Sequence, residues 1–156
     1  MCIISVGIQN KIMAKAIFIT VEGIEGSGKS SVISFLSRFL KERGFKVKVF
    51  REPGSTKIGE KIRGILLDKK NKTLSPYTEL LLYMAARAQL IEEKLNKALF
   101  KYDFIICDRF FDSTLVYQGY AMKMGKIVDK SVKLFSLGIV PNLTIVLDTK
   151  VDSSLE

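Results

Sequence analysis

The chain has 156 residues, of which 47% are hydrophobic, which is the length of one domain with a sizeable core. It contains no histidine, so serine–histidine triads, histidine-ligated metals and imidazole acid–base chemistry are excluded, and any catalysis must use carboxylates, lysine, arginine and magnesium. A formal charge of +9 suits an anionic ligand, although the lysines are scattered and a solvated lysine-rich surface accounts for most of it.

Met1 to Ile8 is apolar but lacks a basic leader and is too short to span a membrane, so a cytoplasmic protein without membrane or nucleic-acid partners is expected. Residues 1–15 read as an N-terminal extension without a motif, with Met13 as the expected natural start, and 16–156 as the domain. Cys2 and Cys107 lack metal-ligand spacing, and Cys107 closes an apolar run as a core residue would.

From Ala16 onward apolar runs alternate with helical periods, the signature of an α/β fold in which a parallel sheet is covered by helices. Ala16 to Val21 reads as a buried strand. Val32, Phe35, Leu36, Phe39 and Leu40 then fall at helical spacing, with Gly44 as a stop. Phe45 to Phe50 predicts a second strand, and Ile62, Ile65 and Leu66 a short helix. Ser75-Pro76 opens a longer helix, a cap before a first-turn proline, expected to run to about Leu99. Phe104 to Cys107 is a third strand, Asp112 to Leu137 mostly helix, and Leu143 to Leu147 a fourth strand.

Between the first strand and first helix, residues 23–30 read Gly-Ile-Glu-Gly-Ser-Gly-Lys-Ser, the pattern G-x-x-x-x-G-K-[ST] in the context of a phosphate-binding loop. The expected nucleoside triphosphate contacts are Gly23, Ile24, Glu25, Gly26, Ser27, Gly28, Lys29, Ser30 and Ser31. Glycines let successive backbone N–H groups point at phosphate oxygens, and the helix adds its positive end. Lys29 would reach the β and γ phosphates, and the Ser30 hydroxyl would meet magnesium.

The other polar signals fall at the carboxyl ends of the remaining strands: Arg51-Glu52-Pro53-Gly54, Asp108-Arg109 and Asp148. Ligands of open α/β sheets bind there, so these groups are expected to face one crevice. Phosphoryl transfer asks for in-line positioning and cations. Arg51 and Arg109 could hold a second phosphate through their planar guanidinium forks. Asp108 is placed to support magnesium directly or through water.

The stretches Phe18-Ile-Thr-Val-Glu-Gly-Ile-Glu-Gly-Ser-Gly-Lys-Ser30, Arg51-Glu-Pro-Gly54, Glu79-Leu-Leu-Leu-Tyr-Met-Ala-Ala-Arg-Ala-Gln89, Asp108-Arg-Phe and Tyr117-Gln-Gly-Tyr120 resemble the thymidylate kinase family, in the right order over residues 16–150. The resemblance implies ATP-dependent phosphorylation of dTMP to dTDP, the magnesium cofactor of P-loop kinases, a parallel sheet of which four strands are present here against the family's five, and a homodimer. It makes Glu25 the acid that meets the sugar 3′-hydroxyl, and Arg51 and Arg109 ligands of the dTMP phosphate. Tyr83 corresponds to the ring stacked on thymine, Arg87 and Thr114 to base contacts, Tyr117 to the ring that disfavours a 2′-hydroxyl, and Gln118 to its neighbour. Tyr83 and Arg87 are four apart, so a helix puts them on one face. Lys29, Asp108 and Arg109 are the expected catalytic set.

Family members continue past the fourth strand into a helix, a lid, a fifth strand and a last helix, and carry a catalytic arginine either in the phosphate loop or in the lid. Gly26 stands at the loop position, so the sequence reads as a lid-arginine type that lacks the lid and C-terminal part. The alternatives are a kinase for another nucleoside monophosphate and a non-catalytic nucleotide-binding fragment. A GTPase-type switch is disfavoured: Asn71-Lys-Thr-Leu74 lacks the final acid of Asn-Lys-x-Asp, and no D-x-x-G occurs.

Overall fold

The computed structural model describes residues 2–6, 16–71 and 73–149. Met13 and the last residues of the expected 16–156 domain lie outside them. Backbone contacts group the chain into two compact units.

The first unit, residues 1–50, 97–110 and 140–156, is built on a five-stranded sheet. Its strands are β1 (Cys2–Val6), β2 (Ile17–Gly23), β3 (Val47–Arg51), β4 (Phe104–Asp108) and β5 (Leu143–Leu147), in the order β1-β5-β2-β4-β3. β2 pairs in parallel with β4 on one side and β5 on the other. This is the α/β sheet expected from alternating apolar runs and helical periods. The added finding is β1, which pairs antiparallel with β5 from Cys2↔Leu147 to Val6↔Leu143. It falls in the segment that the sequence left without an element, because Cys2-Ile-Ile-Ser-Val6 is too short a run to show a period.

Parallel strands buried on both faces favour continuous apolar runs over alternation, and β2 follows suit: Phe18 to Val21 are all buried. Helix α1 (Lys29–Glu42) lays Ile33 against Val21, Val47 and Ile106, with Val32, Leu36 and Leu40 packed around them. It stops where Gly44 takes a left-handed turn, as expected. Two polar ties set the register of β2 and β5. Thr20 Oγ1 and Thr144 Oγ1 lie 2.9 Å apart, and Asn142 exchanges hydrogen bonds with the Phe18 backbone, 2.8 Å to its side chain and 2.8 Å from its own N–H.

The second unit, residues 51–96 and 111–139, is helical. α2 (Lys57–Leu67) is capped by Thr56, whose hydroxyl accepts the Gly59 N–H. α3 (Pro76–Leu90) is capped by Ser75, whose hydroxyl accepts from Thr78, with Pro76 in the first turn as the sequence indicated. The long helix does not continue as α-helix to Leu99: it widens into a π-helical turn over Ile91–Leu95 before α4 (Asn96–Lys101). A second such stretch, Leu115–Ala121, follows the short α5 (Phe111–Thr114), and α6 (Gly125–Phe135) closes the unit. Leu80, Met84, Val128 and Val132 form its core, with Tyr83 and Leu115 packed against them.

Candidate active site

In the first unit β2 runs straight into the loop at Gly23. A Cβ there would stand 2.9 Å from the Leu147 carbonyl oxygen, at φ +147°, so only glycine lets β2 leave the sheet at this point. The loop turns at Gly26 (φ 76°) and Gly28 (φ 85°). Gly28 caps α1 with no side-chain hydrogen bond, and the first turn carries no acid. The N–H groups at this end are thus left to an anion, which the helix dipole also favours.

Lys29 folds back over the loop: its ammonium donates to the carbonyls of Ile24 at 2.6 Å and Gly23 at 3.0 Å. Burial holds its pKa below the ordinary lysine value, the positive charge of Arg109 adds to that, and Asp108, Glu22 and Glu25 oppose it. The charges expected around a phosphate therefore share one neighbourhood. Glu25, Ser30 and Ser31 are exposed.

Asp108 ends β4 half-buried, with its Oδ1 buried and without a hydrogen-bond partner, as is Ser27 Oγ. Among the described residues no three His, Cys, Asp or Glu side chains are grouped to hold a metal by themselves. A lone orphaned carboxylate oxygen fits magnesium, which takes one or two carboxylates and is otherwise bound by phosphate oxygens and water. Arg109 follows in a left-handed conformation (φ 67°), its N–H bonded to the Val21 carbonyl at 3.0 Å. The next residue is clamped too. Glu22 Oε1, buried, accepts the Phe110 N–H at 2.7 Å, and Phe110 packs edge-on against Phe18. A turn held at both ends presents the half-buried Arg109.

The second unit gathers the other candidates. Arg51 donates Nη2 to Glu60 Oε2 at 2.8 Å. Arg87 is almost wholly buried, donating Nε to Glu52 Oε2 at 2.9 Å and Nη2 to Thr114 Oγ1 at 2.9 Å. Burial pushes the Glu52 carboxyl up, and the charge and hydrogen bond of Arg87 pull it back. Arg87 and Thr114, both expected as base contacts, thus meet through one guanidinium. Tyr83 is half-buried one helical turn away on α3. On the π-helical stretch Gln118 is buried and donates to Glu79 Oε1 at 2.7 Å, while Tyr117 is exposed.

The carboxylates that organise these residues, Glu22, Glu52, Glu60 and Glu79, escaped the sequence reading. Glu52 sits inside the Arg-Glu-Pro-Gly run and was visible there, but its partner is 35 residues away and no spacing announces the pair.

Residues 21–156 match the family described as Thymidylate kinase. The chain belongs to the thymidylate kinase family. It is 45% identical over 146 residues to a thymidylate kinase of Thermoanaerobacter sp. strain X514, covering 91% of this chain and 70% of that one. It is 44% identical over 143 residues to one of Caldanaerobacter subterraneus subsp. tengcongensis, covering 89% and 67%. The crystal structure of thymidylate kinase from Ehrlichia chaffeensis superposes with a TM-score of 0.78 at 34% identity, over 85% of this chain and 71% of that one. The parallel sheet and helices described above are accordingly the thymidylate kinase fold. No helix among the described residues is long and apolar enough to cross a membrane.

Proposed function

We propose that this chain transfers the γ-phosphoryl group of ATP to dTMP, giving dTDP for deoxythymidine nucleotide synthesis in the cytoplasm. The observation that carries the reading is the phosphate loop of a thymidylate kinase family member, with Lys29 curled over it and Asp108 Oδ1 left unbonded beside it. Residues 23–31 bind the triphosphate: backbone N–H groups and the start of α1 meet the phosphates, and Lys29 exchanges loop carbonyls for phosphate oxygens. Ser30 and Asp108 are the residues that would hold magnesium, which when bound neutralises charge on the phosphates.

On the acceptor side Arg51 and Arg109 take the dTMP phosphate, Tyr83 stacks on thymine, and Arg87 and Thr114 read the base. Tyr117, with Gln118 as its neighbour, excludes a 2′-hydroxyl, and Glu25 meets the 3′-hydroxyl. Transfer needs the two nucleotides in line and cations against the charge of the moving group, the part Lys29 and Arg109 play. A homodimer is part of this reading, supported by exposed apolar side chains on α2 and α3: Ile58, Leu67, Tyr77 and Leu81 are half or more exposed.

A coupled assay with ATP against dTMP, dUMP, dCMP, dGMP and AMP tests the proposal. Formation of ADP is expected to be fastest with dTMP, ahead of dUMP by about tenfold, because a methyl group in an apolar pocket is worth about 1–3 kcal/mol. A preference for another base, or no turnover with any, would overturn it.

A further inference from the structure

Arg51 is half exposed at the end of β3, and an arginine so placed sweeps many rotamers. Here it does not. Its Nη2 lies 2.8 Å from Glu60 Oε2, nine residues on in the first turn of α2. The Arg51 backbone is tied as well, its N–H to Ser55 Oγ at 2.7 Å and its carbonyl to the same hydroxyl at 3.2 Å.

Glu60 is itself hydrogen-bonded at both carboxylate oxygens. Its second oxygen, Oε1, accepts the Ser55 N–H at 2.7 Å, while Thr56 caps the helix on which it stands. The loop closes tightly around the pair: a Cβ on Gly54 would stand 2.7 Å from Glu60 Oε1 and 3.2 Å from Arg51 Nε, and Lys94 Nζ donates to the Ser55 carbonyl. The hydrogen bonds from Arg51 and from Ser55 hold the Glu60 carboxyl below the usual carboxylate range. A pair whose side chains are 51% and 42% exposed contributes little to stability. Its consequence is orientation: one carboxylate oxygen fixed by backbone, the other holding one corner of a guanidinium that carries five N–H donors.

We propose that Glu60 is a positioning residue that pre-orients Arg51 for the phosphate of the acceptor nucleotide. The inference rests on the reading of Arg51 as a phosphate ligand. Holding Arg51 by one corner before the nucleotide arrives lowers the rotamer entropy that phosphate binding has to freeze out.

Calorimetry of dTMP and of thymidine with wild type, Arg51→Ala and Glu60→Gln at fixed ionic strength tests it. The ratio of the two affinities isolates the phosphate. Arg51→Ala should lower that ratio by about tenfold to a hundredfold. Glu60→Gln should lower it by about threefold to tenfold with thymidine affinity unchanged, and the loss should appear in KM for dTMP and not in KM for ATP. Gly54→Ala, which drives a methyl into Glu60 Oε1, should give the same phosphate-specific loss. A purely structural Glu60 would lower Tm and leave the ratio alone. A ratio equal to or above wild type in Glu60→Gln, with Arg51→Ala impaired, would overturn the inference and leave the Arg51 assignment standing. An unchanged ratio in Arg51→Ala would remove that assignment and the inference with it.

Discussion

Arg87 and Glu52 form an ion pair, 2.9 Å from Nε to Oε2, with side chains only 1% and 4% exposed. Two charges taken out of water recover their desolvation only through each other and their hydrogen bonds. Thr114 supplies one of those bonds, while Glu52 Oε1 is left without one. Removing one partner therefore strands the other. Arg87→Met and Glu52→Gln should each cost about 3–5 kcal/mol of stability, and the double variant less than the sum. Burial already raises the Glu52 pKa, so the folded state holds its proton more tightly than the unfolded chain and stability falls as pH rises through that raised value. Arg87 offsets this in the wild type. Tm of Arg87→Met should consequently decline more steeply than wild type as pH is raised from the ordinary carboxylate range; parallel Tm profiles would contradict the assignment.

Lys29 carries the second prediction. Two loop carbonyls take two of its three N–H donors, and burial with the Arg109 charge depresses its pKa. Phosphate oxygens would favour the ammonium and reverse the shift. Triphosphate binding at pH near the lysine range should thus be accompanied by proton uptake, read by calorimetry in buffers of different ionisation enthalpy. Lys29→Met should abolish that uptake, and Lys29→Ala should lower turnover by about 10²–10³. Equal triphosphate affinity and turnover in wild type and Lys29→Ala would sink the role.

Much of this was legible in the sequence. Strand, glycine loop and helix are contiguous, so the 23–30 motif could be read with its context, and the caps at Ser75-Pro76 and Gly44 are chemistry of single residues. β1 was not legible, because its pairing with β5 joins residues about 140 apart. The π-helical turns at 91–95 and 115–121 keep helical apolar spacing locally, so no period distinguishes them. Charged positions could be named but not paired: Arg87 reads as a base contact by resemblance, whereas its burial with Glu52 depends on tertiary structure. Along the π-helical stretch Gln118 is buried and its neighbour Tyr117 exposed, a difference that no spacing announces.

Gly23 and Gly28, two of the three loop glycines, need their glycine for different reasons. At Gly23 a Cβ would meet the Leu147 backbone at 2.9 Å and Ser27 Oγ at 2.7 Å, whereas at Gly28 it would meet nothing within 4 Å. Gly28→Ala should cost only the left-handed conformation, about 1–2 kcal/mol. Gly23→Ala adds a backbone collision between β2 and β5 and should cost distinctly more, about 3 kcal/mol or above. Denaturant midpoints in the reverse order would show that the loop is not seated as described.

Tyr117 is 41% exposed while Gln118 beside it is buried against Glu79. A ring held at the surface by a buried neighbour can act as a steric screen against a 2′-hydroxyl without any core role. Tyr117→Ala should leave Tm within about 1 kcal/mol equivalent of wild type and narrow the preference for dTMP over ribo-TMP. An unchanged ratio would remove the sugar-reading role.

Arg51 and the Ser55 N–H depress the Glu60 carboxyl, so the folded state binds its proton less readily than the unfolded chain. Such a group adds stability above its unfolded pKa, near 4.5, and that contribution is lost as pH falls through the lower folded value. Its size is small, because the carboxylate is exposed and salt screens it. The site-specific titration is the sharper observable. Carbon-13 NMR of the Glu60 carboxyl should give a midpoint below the ordinary range in wild type. Arg51→Ala removes the largest cause and should return the midpoint most of the way, with the Ser55 hydrogen bond keeping a remainder. Added salt should raise the wild-type midpoint and leave that of Arg51→Ala nearly unmoved. A wild-type midpoint at or above the ordinary value would mean that the Arg51–Glu60 pair does not persist in solution.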